Sequence, residues 1–283
     1  MPEIETVGVL GAGTMGHGIA QVAAQAGYQT FLYDVSLELA ERGVRHVGEN
    51  LQRGMERGKV TSEQKEATLR HLSAVCHLAD VARCGLVIEA IPEDIELKKK
   101  MFRQLSESCS PVAILASNTS SLSITAIASA ASKPERVVGM HFFNPVHIMR
   151  LLEIIRADST SDATVEAVRQ VGRRLGKETI VVRDRPGFAT SRLGVAFGLE
   201  AIRMVEQGVA SAEDIDRAIE LGYGYPMGPL KLGDLVGLDV RLAIAEYLHQ
   251  ELRSEVFRPP KLLEDMVRAG KLGRKSGEGF YKY

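Results

Sequence analysis

The first thirty residues constrain the fold most, because they combine a short strand, a glycine loop and a helix. Val7 to Leu10 form an apolar run typical of a buried strand, and GAGTMG follows with glycines in GxGxxG spacing. Apolar residues then recur at helical spacing up to Gly27. Strand, tight loop and helix in this order form the pattern of a dinucleotide-binding unit. The chain is therefore expected to begin with a Rossmann-type fold.

Each of the three glycines in this loop is required for a physical reason. Gly11 permits the sharp turn, Gly13 lets a pyrophosphate approach the backbone, and Gly16 lets the helix pack on the strand. The helix N-terminus offers unpaired N–H groups to phosphates. Gly11, Gly13, Thr14, Met15 and Gly16 are therefore predicted to bind NAD.

An acidic residue follows the second strand. The strand-like run 28–33 ends at Asp34, about twenty residues after the loop. A carboxylate there accepts hydrogen bonds from the adenosine ribose and repels a 2′-phosphate, which favours NAD over NADP. The alternative is that Asp34 only caps the helix that begins near Ser36.

Composition excludes several classes of function. The 283 residues are 45% hydrophobic, carry a net charge of −1 and have a pI near 6.7, so nothing favours nucleic acid as a partner. No apolar run approaches the roughly 18 residues of a membrane span, and no signal or transit pattern precedes the first strand. Three cysteines without C-x-x-C spacing indicate reduced thiols in a cytoplasmic protein that binds no metal.

The first two thirds of the chain alternate between strands and helices, which predicts an α/β fold with a mainly parallel, doubly wound sheet. Predicted strands cover 6–10, 29–34, 85–91, 113–117, 137–143, 151–156 and 179–182, and predicted helices cover 16–26, 37–57, 62–71, 93–107, 123–130 and 161–175. The helical pair at 37–71 is too long for a simple crossover. We expect it to project from the sheet as a helical hairpin.

The pattern changes after Arg185-Pro186-Gly187. From 188 to 270 the apolar spacing is helical, so residues 1–185 are expected to form the NAD-binding domain and 186–283 a smaller all-α domain. The apolar faces of the second domain are abundant for under a hundred residues, which indicates a homodimer interface. The alternative is a self-contained bundle packed on the sheet.

Two histidines are equal candidates for a catalytic base when the residues alone are considered. His141 ends the apolar run RVVGMHFF, where a sheet meets a cleft, and His147 lies in the same connection. Polar residues 118–121 follow another strand, where such a cluster ordinarily caps a helix. Histidine suits a group that must take and return a proton near neutral pH.

Five longer segments resemble the L-3-hydroxyacyl-CoA dehydrogenases, most closely the stand-alone 3-hydroxybutyryl-CoA members. They are SNTSSLSI, HFFNPVHIMRLLEII, PGFATSRL, EDIDRAIELGYGYPMGP and GKLGRKSGEGFYKY, in colinear order through the chain. The resemblance implies two domains, a homodimer and the reversible oxidation of an L-3-hydroxyacyl-CoA by NAD.

The resemblance also implies roles for individual residues. His141 occupies the histidine of the HFFNP motif and becomes the base, with Glu153 orienting its imidazole. Ser120 matches the serine that binds the substrate oxygen. Three further residues match cofactor contacts: Glu93, Lys98 and Asn144. Simpler interpretations remain, in which Glu93 opens a helix, Lys98 lies on a solvated face and Asn144 is a turn residue.

Two positions concern the substrate. The resembled family binds the CoA nucleotide in the region of the predicted hairpin, where Arg57 is the closest match, although a surface charge cluster is the alternative. Ser191 stands where the family commonly has asparagine beside the substrate. This difference bears on substrate choice more than on the type of reaction.

Three other functions are compatible with parts of the pattern. A dehydrogenase of a small hydroxy acid such as L-gulonate keeps the chemistry without CoA. A non-catalytic NAD-binding or structural protein keeps only the fold, and the His141–Glu153 pair argues against it. A 6-phosphogluconate-type enzyme needs a catalytic lysine in the second domain, where Lys231 instead has the setting of a helix start.

Overall fold

An eight-stranded sheet organises the first part of the protein, as seen in a computed structural model that describes residues 3–283. Its order is β3-β2-β1-β4-β5-β6-β7-β8, and every neighbouring pair is parallel except β6 and β7. The strands are β1 Thr6–Leu10, β2 Gln29–Tyr33, β3 Leu72–Val75, β4 Leu86–Glu89, β5 Ile114–Ser117, β6 Val137–Phe142, β7 Leu151–Arg156 and β8 Glu178–Arg183. The predicted mainly parallel, doubly wound sheet is confirmed.

Helices cover both faces of this sheet, as expected when parallel strands are joined by crossovers. They are α1 Thr14–Gln25, α2 Leu37–Glu56, α3 Ser62–Arg70, α4 Leu78–Ala82, α5 Ile95–Ser108, α6 Ile124–Ala128 and α7 Asp162–Arg174. The core includes Val9, Ile88, Ala116 and Ile154 from the strands, each fully buried.

Two short elements escaped the sequence analysis, and one helix begins later than predicted. Strand β3 has four residues and helix α4 has five, too few for either to show a clear period. Helix α5 begins at Ile95 because the Asp94 side chain accepts hydrogen bonds from the Glu96 and Leu97 N–H groups, both at 2.9 Å. Glu93 therefore lies outside the helix, and its interpretation as a helix-opening residue is wrong.

The prediction that residues 37–71 project from the sheet is wrong for the body of the hairpin. Val47 and Leu51 of α2 are fully buried in the same core cluster as Leu32 of β2 and Leu72 of β3. The apolar stripe of α2 is thus long enough to lie against the sheet. The end of the hairpin, at 56–59, is exposed.

A second compact unit begins at Pro186, directly after Arg185 ends the first. Its helices are α8 Thr190–Glu206, α9 Ala212–Gly222, α10 Pro229–Val236, α11 Leu238–Leu252 and α12 Lys261–Arg268. They enclose a core of their own, to which Leu199, Leu230 and Leu248 contribute fully buried side chains. The prediction of a smaller helical domain is confirmed.

The C-terminal tail is held to the second unit by a buried carboxylate. Asp234 of α10 is 1% exposed and accepts hydrogen bonds from the Phe280 N–H, the Tyr281 N–H and the Tyr283 hydroxyl at 3.0–3.1 Å. The tail also forms two isolated β-bridges, between Gly273 and Glu278 and between Glu278 and Lys282.

Candidate active site

The glycine loop follows β1, and its three glycines are required for different reasons. Gly11 has φ +93°, and a Cβ there would lie 2.7 Å from the Ala90 carbonyl oxygen. A Cβ at Gly16 would lie 1.6 Å from the Gly11 carbonyl oxygen. At Gly13 a Cβ would meet no atom of the described residues within 4 Å. Packing therefore explains Gly11 and Gly16, whereas Gly13 borders open space.

The loop presents its backbone donors at the start of α1. Gly13 is the N-cap residue, and it has no side chain to bond the N–H groups of the first turn. Such groups at the positive end of the helix dipole are suited to phosphate oxygens. Because β1 lies between β2 and β4, where the order of the strands reverses, this end of the sheet is also where doubly wound folds bind ligands.

Asp34 connects the end of β2 to this loop. Its carboxylate accepts hydrogen bonds from the Ala12 N–H at 2.8 Å and the Val35 N–H at 2.7 Å. The alternative that Asp34 caps α2 is wrong, because Ser36 does so by accepting from the Leu39 N–H at 3.3 Å. The predicted contact of Asp34 with a ribose remains a prediction.

His141 and Glu153 lie directly opposite each other on the antiparallel strands β6 and β7. The His141 Nδ1 and Glu153 Oε2 atoms are 2.9 Å apart, and the two residues are 7% and 0% exposed. A carboxylate at Nδ1 keeps the proton of the neutral ring on that nitrogen, so Nε2 carries the lone pair. The pair is therefore built to accept a proton at Nε2.

Glu93 holds the loop that contains Ser120. Its Oε1 atom accepts a hydrogen bond from the Ser120 N–H at 3.1 Å and another from the Thr119 hydroxyl. The Ser120 hydroxyl lies 3.5 Å from the same oxygen, too long for a strong hydrogen bond. Glu93 thus holds the backbone of Ser120 more firmly than it holds the hydroxyl.

Lys98 is buried at 1% exposure, so its interpretation as part of a solvated face is wrong. Its ammonium lies 2.5 Å from Glu89 Oε1, 3.2 Å from the Ile91 carbonyl oxygen and 3.3 Å from Glu93 Oε2. An ammonium has three donors, and here all three face protein oxygens. The predicted contact of Lys98 with NAD stays a prediction.

Asn118 links the serine loop to the histidine strand. Its Oδ1 atom accepts a hydrogen bond from the Phe142 N–H at 2.8 Å, one residue after His141. The backbone pairing of β5 with β6 ends at Ser117 and Gly139. Beyond that point the Asn118 side chain provides the hydrogen bond to β6. This contact holds the loop of Ser120 and Glu93 against the strand that carries His141.

His147 has surroundings that differ from those of His141. It is exposed in the connection after the cis Asn144-Pro145 peptide. Burial of part of its ring, helped by the positive field of His17 and Lys177, lowers the pKa of His147. His17, in the first turn of α1, bonds the Gly13 carbonyl oxygen through Nδ1 at 2.8 Å.

The remaining predicted site residues are widely placed along the chain. Asn144 is exposed two residues after the end of β6, and Arg57 is exposed at the C-cap of α2. Ser191 lies in the first turn of α8 and therefore belongs to the second unit. The roles proposed for these three residues remain predictions. Lys231 lies in the first turn of α10, as its sequence setting predicted, 3.3 Å from Glu220 Oε1.

Sequence reasoning missed Glu89, although it left a signal. Glu89 is a charged residue at the end of the apolar run LVIE, where a buried strand reaches the crevice. Asn118 was visible only as a member of a polar cluster, and its contact with Phe142 depends on the order of the strands.

A cluster of metal ligands or a membrane-spanning helix among residues 3–283 would point to other functions. No three His, Cys, Asp or Glu side chains in that range are grouped so as to hold a metal ion. None of the helices formed by those residues combines the length and apolar character needed to cross a bilayer.

Comparison with known proteins covers both units. The NAD binding domain of 3-hydroxyacyl-CoA dehydrogenase matches residues 6–185, and the C-terminal domain of the same family matches residues 187–283. A probable 3-hydroxybutyryl-CoA dehydrogenase of Deinococcus radiodurans is 48% identical over 276 residues, covering 98% of this chain and 99% of the relative.

Two further relatives extend the comparison. The 3-hydroxyadipyl-CoA dehydrogenase of Escherichia coli is 42% identical, covering 100% of this chain and 60% of that protein. The crystal structure of (S)-3-hydroxybutyryl-CoA dehydrogenase from Ralstonia eutropha is 42% identical with a TM-score of 0.96, covering 99% of each chain.

The sheet, the glycine loop and these matches together define an NAD-dependent oxidoreductase. More specifically, the chain belongs to the 3-hydroxyacyl-CoA dehydrogenase family. The resemblance that the sequence motifs indicated is confirmed.

Proposed function

We propose that this chain oxidises a short-chain L-3-hydroxyacyl-CoA reversibly to the 3-ketoacyl-CoA, with His141 as the general base. The observation that carries the proposal is the buried His141–Glu153 pair, 2.9 Å apart, at the end of a sheet that also holds a dinucleotide loop. The names of the relatives from Deinococcus and Ralstonia support 3-hydroxybutyryl-CoA as the substrate.

Oxidation of a secondary alcohol releases a proton from the hydroxyl and a hydride from the carbon. His141 takes the proton at Nε2 in this direction and returns it in the other. Glu153 keeps the ring oriented and stabilises the imidazolium that forms, as the carboxylate of a hydrolase triad does. The Ser120 hydroxyl donates to the substrate oxygen as it changes between alcohol and carbonyl.

The residues around the first strand fit a dinucleotide, because the open space at Gly13 and the uncapped first turn of α1 suit a pyrophosphate. NAD bound there would supply the acceptor for the hydride that leaves the substrate carbon. We assign its binding to the loop Gly11–Gly16, with Asp34 toward the ribose. Glu93, Lys98 and Asn144 complete the cofactor side of the site.

The CoA moiety and the acyl group involve residues outside this centre. Arg57, exposed at the end of the α2–α3 hairpin, suits a CoA phosphate because a guanidinium binds phosphate oxygens with two donors. Ser191 replaces the commoner asparagine, and we assign it to the acyl side of the site.

We also propose that the second unit forms a homodimer. Its helices expose large apolar side chains that a monomer would leave in water, on α8, α9 and α10 in particular. The most exposed of them are Leu193 at 71%, Leu221 at 77% and Tyr223 at 78%. Light scattering during gel filtration tests this proposal, since a monomeric mass at micromolar concentration would exclude it.

The proposed reaction is tested by initial rates of NADH oxidation with acetoacetyl-CoA, longer 3-ketoacyl-CoAs, 3-oxoadipyl-CoA and free keto acids. We expect acetoacetyl-CoA to give the highest kcat/KM. His141→Ala should reduce kcat by about 10²–10⁴-fold, whereas the matched His147→Ala variant should retain activity. Turnover of free keto acids alone would instead favour a hydroxy-acid dehydrogenase.

A further inference from the structure

We propose that Glu89 is a positioning residue of the candidate active site. It acts through Lys98 on Glu93, and both ends of the loop that contains Ser120 depend on it. The inference rests on the proposed function, because it explains how the same site is held in place.

Glu89 is a fully buried charge at the end of the sheet that forms the site. It is 0% exposed and pairs in register with Leu10, the residue before the glycine loop. A carboxylate without partners in such a place would be strongly destabilising. Here Oε1 accepts from Lys98 Nζ at 2.5 Å and from the Ile91 N–H at 2.8 Å, while Oε2 accepts from the Ser117 hydroxyl at 2.7 Å. Three donors therefore fix the carboxylate in position.

Lys98 transmits this position to Glu93. Its ammonium contacts Glu89 at 2.5 Å and Glu93 Oε2 at 3.3 Å, so one cation is shared by two carboxylates. The Glu93 side chain is 40% exposed and has fewer constraints of its own. The buried partner thus determines where the ammonium lies, and the ammonium determines where Glu93 Oε2 lies.

Glu93 in turn holds the serine loop with its other oxygen. Oε1 accepts from the Ser120 N–H at 3.1 Å and from the Thr119 hydroxyl. The loop begins at Ser117, whose hydroxyl bonds Glu89 directly. Glu89 therefore controls the loop at Ser117 by direct contact and at Ser120 through Lys98 and Glu93.

This arrangement makes a prediction that an ordinary structural ion pair does not make. If Glu89 acts through Glu93, the two residues are coupled in their effect on catalysis. If Glu89 only stabilises the fold, its loss and the loss of Glu93 act independently and their effects on kcat/KM multiply. A double-mutant cycle between the two positions separates these cases.

The experiment compares full-length Glu89→Gln, Glu93→Gln and the combined variant in the acetoacetyl-CoA assay. We expect Glu89→Gln to lower kcat/KM by about 10- to 100-fold, the scale of a misplaced catalytic group. In the Glu93→Gln background the same change should cost several-fold less, because only the direct contact with Ser117 is then left to lose. Lys99→Met, on the next residue of α5 and in the exposed pair with Glu96, is the matched control and should match wild type.

The variant Glu89→Gln/Lys98→Met removes both charges together, which proteins tolerate better than one unpaired buried charge. We expect it to melt within a few degrees of wild type, so that its loss in kcat/KM, to which Lys98 also contributes on the cofactor side, is not a loss of folding. Equal effects of Glu89→Gln in both Glu93 backgrounds would overturn the inference. Wild-type kinetics of the folded charge-free variant, or loss of folding in both Glu89 variants, would overturn it as well.

The failure of the proposed function gives a different result. In that case wild-type protein would not reduce acetoacetyl-CoA, or His141→Ala would be as active as wild type. The Glu89 inference would then be decided by NADH binding, followed by the change in NADH fluorescence. The same cycle in dissociation constants should show coupling between Glu89 and Glu93, and additive effects would overturn it.

Discussion

The variant Glu153→Gln tests the proposed mechanism at its least accessible residue. Glutamine has nearly the same size, and the position is 0% exposed, so the substitution removes the negative charge without opening a cavity. The amide can still accept one hydrogen bond from His141 Nδ1, now 2.9 Å from Glu153 Oε2. What disappears is the attraction between the carboxylate and the positive charge that the ring gains during reaction.

The size of this effect follows from the separation of the two groups. Opposite unit charges about 4 Å apart attract by roughly 4 kcal/mol at an effective dielectric constant near 20. The ring is only partly charged in the transition state, so we expect a loss of about 3 kcal/mol. At about 1.4 kcal/mol per factor of ten, kcat should fall by about 10²-fold.

Steady-state rates with saturating acetoacetyl-CoA measure this fall, with little change expected in the KM for NADH. NADH deuterated at the transferred position should show a larger isotope effect on kcat than in wild type, because the chemical step becomes slower. Glu178→Gln on β8 is the matched control, since that side chain is 75% exposed in a pair with Arg150. A kcat within about 3-fold of wild type, or a loss confined to KM, would refute the assignment.

Four further outcomes are expected. NADH should be preferred over NADPH in kcat/KM, and Asp34→Ala should reduce the preference; equal use of both cofactors by wild type contradicts the assignment of Asp34. Arg57→Ala should raise the KM for acetoacetyl-CoA at low ionic strength, and the increase should be smaller at high ionic strength. An unchanged KM would show that Arg57 is an ordinary surface charge. Ser191→Asn should change kcat/KM several-fold and unequally for short and longer acyl-CoAs; no change with any substrate places Ser191 away from the acyl group. Burial raises the pKa of the Cys84 thiol from 9.0 to about 12, so above about pH 9 the folded protein keeps a proton that the unfolded chain loses. The free energy of unfolding should therefore fall above about pH 9, by up to about 1.4 kcal/mol per pH unit. Urea unfolding should show a smaller fall in Cys84→Ala, and an identical pH dependence in the two proteins contradicts this account.

The sequence predicted most of the fold because the strands are short apolar runs bounded by glycine and polar residues. The bounds predicted for β1 and β7 agree with the structure. Elements of four or five residues, such as β3 and α4, carry too few residues to show a period. The packing of the α2–α3 hairpin depended on which strand lies at the edge, and a single sequence does not contain that order.

The candidate site was predicted to a different degree for different residues. The His141–Glu153 pair was accessible because both residues lie in strand-like runs joined by a short connection. Lys98 was misread as a possible surface residue because three consecutive lysines resemble a solvated face. Its burial depends on Glu89, nine residues earlier, and no short motif connects an acidic strand end with a lysine on the next helix.

The open space beside Gly13 has a consequence for the history of such proteins. Gly13 has φ −68°, a value that alanine adopts readily, and a methyl group there touches no described residue within 4 Å. The change Gly13→Ala should therefore leave folding intact while placing a methyl group in the space that we assign to the pyrophosphate. The neighbouring glycines give no such option, since their replacement collides with the backbone. Under that assignment one substitution would abolish coenzyme binding and leave a stable, inactive protein, available for a role that needs the fold and not the reaction.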